Sequence, residues 1–344
     1  MIEKEIKEGL KNWPGIVSRY SQADNTKAAI QIVTSFGPFL AIWVLMYFSL
    51  DWSYWITAAL AIVNSFFLVR LFIIQHDCGH FSFLNSRRAN FVTGYICSFF
   101  TSIPFRYWSR VHSHHHGHIG QLEHRDIGDI NFLTVKEFRE RGFWGRLGYR
   151  IFRHPLCLFG LIPIIYMAVS NRWPFFDFKG WRKIRISMIW NNVWMLLIYV
   201  LIAFVVGWKA FLAVQIPTIG IFAIIAFWFF YVQHQHEHTY MQWKENWDHL
   251  VASIKGSTYY KLPRLFQWLT GNIGFHHIHH LNSKIPNYQL EKCARENPIL
   301  QKYVPTLTFR ESLKCIFNNL WDEDLQRMIS FREFYRMERV GFSI

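Results

Sequence analysis

Four nearly uninterrupted apolar stretches divide the chain, at Ile32–Leu50, Tyr54–Ile74, Met188–Val206 and Phe211–Val232. Each comes close to the roughly 20 residues that a helix needs to cross a bilayer. Two shorter runs, Phe91–Phe105 and Pro155–Val169, read as surface or re-entrant segments, and the second carries Pro155 and Pro163. The opening Met1–Gly9 is polar and helical in character, without a charged-then-apolar signal pattern, so insertion is expected to begin at the first internal span. The pattern predicts an all-α integral membrane protein with about four transmembrane helices, membrane-surface helices and a cytosolic cap. It divides into a polar cytosolic arm over 1–30, a membrane domain over 31–290 and a C-terminal cap of that domain over 291–344.

Composition supports lipid contact. Of 344 residues 51% are hydrophobic and 19% aromatic, including 33 Phe and 16 Trp, more aromatic surface than one soluble core requires. Trp52, Tyr54, Trp173 and Trp181 flank the spans and read as interfacial anchors. The five cysteines show no CxxC pairing, which argues against a disulfide frame, an iron–sulfur cluster or a zinc knuckle. The net charge of +14 comes without a nucleic-acid reader motif, so no nucleic-acid partner is expected.

Three histidine clusters stand at the ends of apolar segments: His76 and His80; His112, His115 and His116; His276, His279 and His280. Their spacings are HxxxH, HxxHH and HxxHH. Residues three or four apart share a helix face, so each cluster aims its imidazoles at one place. One HxxxH alone is commonly a surface or core pair; three at membrane ends favour a metal. One metal usually takes three or four protein ligands, so eight convergent imidazoles point to two metals. Cys78 and His277 fall off these faces and are expected to pack or hydrogen-bond. His124, His154 and His249 stand alone and read as structural or interfacial.

Convergence requires an even number of crossings between clusters. Phe91–Phe105 and Pro155–Val169 must therefore both stay at the histidine side. Arg87, Arg88, Arg106, Arg110 and the arginines of 139–153 and 172–185 also fall on that side, whereas the opposite loops offer only 51–53 and 207–210. The positive-inside bias makes the histidine side cytoplasmic, in the cell membrane. Imidazole alone does not choose among zinc, copper, iron and nickel. A redox pair at acyl-chain depth suits attack on an unactivated carbon, which favours two irons activating dioxygen.

Phe72–His80, Trp108–His116 and Gly271–Tyr288 resemble the three histidine boxes of the membrane fatty acyl desaturases, in order and at family-like separations. Gly128-Asp129-Ile130, Tyr231–Glu237 and Leu320–Asp324 extend the likeness over almost the whole chain, with bacterial acyl-lipid desaturases of the bacillus type most similar. The resemblance implies oxygen-dependent insertion of a cis double bond into membrane lipid acyl chains, with two Fe ions and O2 as co-substrate. It also implies a ninth histidine ligand. His234 matches that position, yet His236 and His238 are added nearby, and His238 shares the face of His234 one turn later. In the second box His114 and His118 are extra and read as outer or solvent groups. Asp77 and Asp129 are candidates to orient imidazoles.

No dinucleotide, haem or cluster-binding segment accompanies these motifs, so electrons are expected from a partner, reduced ferredoxin or flavodoxin, docked on the arginine-rich face. Hydroxylases and ketolases of lipids, alkanes or carotenoids use similar boxes and remain the alternative. A histidine-rich metal transporter would need ionisable residues at mid-membrane, and the spans hold almost none.

Overall fold

The computed structural model describes residues 2–176 and 179–340. Its spans start at polar caps. Asp24 accepts hydrogen bonds from the Thr26 and Lys27 N–H groups at the head of α3 (Asn25–Ser49), and the Ser53 hydroxyl accepts from Trp55 N–H at the head of α4 (Tyr54–Gly79). The other long pair, α10 (Arg182–Val206) and α11 (Trp208–His234), is joined by Gly207, whose φ of 87° needs a residue without a Cβ. These are the four described helices long and apolar enough to cross a membrane. Half of the most apolar window of α4 is buried, against 11% for α10, so α4 is the centre of the bundle and α10 its lipid-facing edge.

The helices outrun their apolar stretches. At 1.5 Å per residue the 26 residues of α4 rise about 39 Å against a hydrocarbon core of about 30 Å. That excess leaves room for the polar last turns of α4, with His76, and of the 27-residue α11, with His234, to extend past the hydrocarbon.

Both short runs are helical and neither makes a straight span. α5 (Arg87–Thr101) has 15 residues, packs on α4 and ends at Ser102 in a left-handed conformation (φ 58°). Pro104 then begins α6 (Phe105–His118), the carrier of the second box. After β1 (Leu133–Thr134), α7 (Val135–Glu140) and α8 (Phe143–Phe152), the apolar run Leu156–Ser170 leaves α8 at a 55° bend. Its π-helical turns, Leu156–Leu161 and Tyr166–Ser170, flank α9 (Ile162–Ile165). Pro163 has no N–H to continue the regular ladder there.

The remaining elements form a cap over the histidine ends: α12 (His249–Lys255), α13 (Arg264–Leu269), α14 (His276–Leu281) and α15 (Asn287–Glu296). β2 (Tyr259–Lys261) pairs in parallel with β3 (Thr306–Thr308). β4 (Leu320–Asp322) pairs in parallel with β1 and antiparallel with β5 (Arg327–Ile329), joining the C-terminal segment to the loop after the second box. The N-terminal α1 (Ile2–Gly9), α2 (Trp13–Ser18) and the turn between them bury Ile6, Val17 and Leu10 in one cluster with Val251, Ile254, Ile278 and Leu281, directly behind the third box.

Candidate metal centre

Four elements deliver nine histidines to one buried place. His76 comes from the last turn of α4 and His80 caps that helix; His112, His115 and His116 come from α6; His234 ends α11; His276, His279 and His280 come from α14. None is more than 9% exposed. Glycine lets α4 and α6 approach, since a Cβ on Gly79 would lie 2.5 Å from the Ser109 hydroxyl oxygen.

The nine fall into two sets. Nε2 of His112 lies 2.9 Å from Nε2 of His76 and 3.0 Å from that of His116, which is 2.9 Å from Nε2 of His279; His80 completes this group. Nε2 of His276 lies 2.9 Å from that of His234 and 3.1 Å from that of His280, and His115 joins His234 and His280. The sets touch where the His116 and His280 rings stack at 4.2 Å.

A nitrogen carries one proton or one lone pair, so Nε2 atoms that each meet two others are not satisfied by hydrogen bonds alone. Nε2 of His80 and of His115 are buried without a hydrogen-bond partner. A metal–nitrogen bond of about 2.1 Å sets adjacent ligand nitrogens roughly 3.0 Å apart on an octahedron. The observed spacing of 2.9–3.1 Å fits that edge, and the all-imidazole donor set suits a first-row transition metal. Burial pushes His80, His112, His116, His276, His279 and His280 well below the ordinary imidazole range, and the neighbouring imidazoles push them further down. Neutral rings keep their lone pairs for a metal.

Outer groups fix several tautomers. Nδ1 of His76 is 2.9 Å from Asp77 Oδ1, and Nδ1 of His115 is 2.7 Å from Asp129 Oδ1. Nδ1 of His234 donates to the Gly256 carbonyl at 3.1 Å. The hydrogen bonds to His76 and His234 leave Nε2 of each as the inward donor, and the Asp129 carboxylate stands beside the outer nitrogen of His115. Trp108 stacks on His112 with centroids 4.6 Å apart. Asn287 donates to Asp77 through its backbone N–H at 2.6 Å and its amide at 2.8 Å. Sequence reasoning anticipated both aspartates and missed Gly256 and Asn287. Asn287 lies in the Ile-Pro-Asn-Tyr stretch after the third box; a backbone carbonyl such as Gly256 leaves no mark in a sequence.

The remaining histidines stand apart from the nine. His238 projects outward with a side chain 68% exposed, whereas His236 is buried outside both sets. His277 accepts a hydrogen bond from the Gln301 amide at 3.0 Å, and Cys78 packs in the core between the spans, both as expected. His114, His118 and His124 gather in a separate group on the outer side.

A cavity of about 390 Å³ opens against the centre. His76, His112 and His276 line it together with Val69, Phe72, Trp108, Phe222 and Phe229. Its walls are those of a site for an apolar chain, with imidazole nitrogens at the polar end.

Residues 50–310 match the fatty acid desaturase family. The chain is 40% identical over 333 residues to a fatty acid desaturase of Bacillus subtilis, covering 96% of this chain and 94% of that one. It is 27% identical over 263 residues to the sn-1 oleoyl-lipid 12-desaturase of Anabaena variabilis, covering 72% and 70%. It is also 27% identical over 252 residues to the sn-2 acyl-lipid omega-3 desaturase (ferredoxin), chloroplastic, of Helianthus annuus, covering 68% and 54%. With the match running through all three boxes and a histidine centre seated against an apolar cavity, the chain belongs to the fatty acid desaturase family and is a membrane oxidoreductase acting on fatty acyl lipids.

Proposed function

We propose that the chain is an oxygen-dependent acyl-lipid desaturase that sets a cis double bond in membrane lipids with two irons. His76, His80, His112, His116 and His279 hold one iron; His115, His234, His276 and His280 hold the other. The observation that carries this reading is the division of nine buried imidazoles into two sets with metal-like Nε2 spacing beside one apolar cavity. When bound, the irons supply the reductive activation of dioxygen. The two hydrogens lost from adjacent methylenes combine with one dioxygen, two external electrons and two protons from solution to give two waters.

The chain does the positioning. The cavity holds two neighbouring methylenes beside the polar end, and its aromatic walls keep bulk water from the reaction. Asp77 and the Gly256 carbonyl hold protons on the outer nitrogens of His76 and His234, and the Asp129 carboxylate lies against the outer nitrogen of His115. Reduced ferredoxin or flavodoxin brings the electrons from the cytoplasmic side. A relative whose name specifies ferredoxin and the arginine-rich histidine side support that donor.

The test is expression in a host followed by mass spectrometry of fatty-acid methyl esters with double-bond localisation, together with metal analysis of the purified chain. New unsaturated chains with the bond at a defined carbon, and two irons per chain, are expected. Hydroxylated chains would reassign the reaction, and one zinc per chain would overturn the metal assignment.

A further inference from the structure

The nine histidines leave a second metal-ligating group unexplained. His114 and His118 are one turn apart on α6, and His124 ends the short 3-10 turn Leu122–His124. The His114 and His118 rings stack at 4.1 Å with an 18° angle; His118 and His124 are 4.1 Å apart, and His114 and His124 5.1 Å. One ligand nitrogen from each lies within 4.8 Å of the others, and all three residues are only partly buried, unlike the nine.

The loop that brings His124 back is built rather than loose. Gly120 has a φ of 69°, and a Cβ there would meet the Tyr240 carbonyl at 2.5 Å. Gln242 N–H donates to the Gly120 carbonyl at 2.8 Å, and Leu122 N–H donates to the Gln242 carbonyl at 3.0 Å. Glu123 accepts from Lys244 N–H at 2.9 Å. On the helix side, Nδ1 of His118 lies 2.9 Å from the His114 carbonyl, which only accepts, so Nδ1 carries the proton and Nε2 offers its lone pair. A backbone-anchored imidazole with a free Nε2 is the usual form of a metal-binding histidine.

We propose that His114, His118 and His124 form a separate, water-accessible site for one divalent transition metal, held by three imidazoles with water in the fourth position. Nitrogens on a tetrahedral ion stand about 3.4 Å apart, so closing the group requires the stacked His114 and His118 rings to turn about their side-chain bonds and the three nitrogens to draw together by about 1 Å or more. Occupancy staples the last turn of α6 to the following loop and steadies the helix that carries the second box. Ligand chemistry admits zinc, nickel, copper and ferrous iron.

The experiment uses the full-length, iron-loaded protein in detergent, exchanged into metal-free buffer and titrated with nickel. Uptake and iron are counted after desalting. Wild type is expected to take up one nickel that H114Q/H118Q/H124Q does not, at equal iron content. His124→Gln alone, on the loop, is expected to weaken that binding by about tenfold or more. Equal nickel uptake by wild type and triple variant overturns the proposal; if the triple variant does not fold, unchanged affinity in His124→Gln does so. Loss of iron in parallel with nickel would also overturn it, because the site would then be part of the buried centre.

Discussion

The Asp77 carboxylate and Asn287, 210 residues apart, are joined by two hydrogen bonds, while the other Asp77 oxygen lies 2.9 Å from Nδ1 of His76. One buried carboxylate thus ties the first box to the segment that follows the third. Loss of either partner disturbs both the orientation of His76 and the seat of the cap. Asp77→Asn keeps the shape and removes the charge, and iron affinity is expected to fall about 10–100-fold. Asn287→Ala removes the amide donor and keeps the backbone N–H, leaving the buried Asp77 carboxylate short of one donor, and should cost about 1–3 kcal/mol of stability. Iron content at graded chelator concentrations and thermal unfolding of the detergent-solubilised protein measure the two effects. Unchanged iron retention in Asp77→Asn would show that the carboxylate does not support the centre.

The ninth position separates two histidines that sequence spacing left open. His234 is buried with its Nε2 2.9 Å from that of His276; His238 is exposed beside Glu237. His234→Ala is expected to abolish turnover and lower bound iron, and His238→Ala to keep both. Product formation and iron per chain decide it, and the reverse ranking would move the ligand to His238.

Ala223 lies on α11, is 4% exposed and lines the cavity opposite bulkier walls. Ala223→Phe should fill part of the acyl space and shift products toward shorter chains, at an overpacking cost of about 1–3 kcal/mol. The chain-length profile of the unsaturated products is the readout. An unchanged profile from a folded variant would mean that the chain binds elsewhere.

Much of this was legible because period and length carry it. The four apolar stretches mark the four long helices, and three- and four-residue histidine spacing marks the inward faces of α4, α6 and α14. The helices nevertheless run past their apolar stretches, since Gln75, His76, Gln233 and His234 are polar yet continue the same backbone ladder into the cap. Hydropathy locates hydrocarbon, and those turns lie outside it. The contacts of Asp77 with Asn287 and of His234 with the Gly256 carbonyl arise only when distant segments meet, so no local pattern announces them. His124 illustrates the same limit: it stands alone in sequence and meets His114 and His118 only because the loop turns back at Gly120.

Topology gives the last prediction. With four crossings and the short runs α5 and Leu156–Ser170 kept at the histidine side, the turns at 50–53 and around Gly207 are expected to be the external ones. Trp52 and Trp208 are exposed there and suit the outer interface. Four of the five native cysteines are buried and Cys157 is partly so, which makes a cysteine-free background a modest repacking. Single cysteines at Asp51 and Lys209 are expected to react with an impermeant thiol reagent added to intact cells, and cysteines at Arg139 and Arg182 only after the membrane is opened. Labelling of Arg139→Cys from outside would require α5 to cross. At 15 residues that helix spans about 22 Å, short of the hydrocarbon core, so such a result would demand local thinning of the bilayer. It would also place His76 and His112 on opposite faces of the membrane, which their 2.9 Å separation forbids.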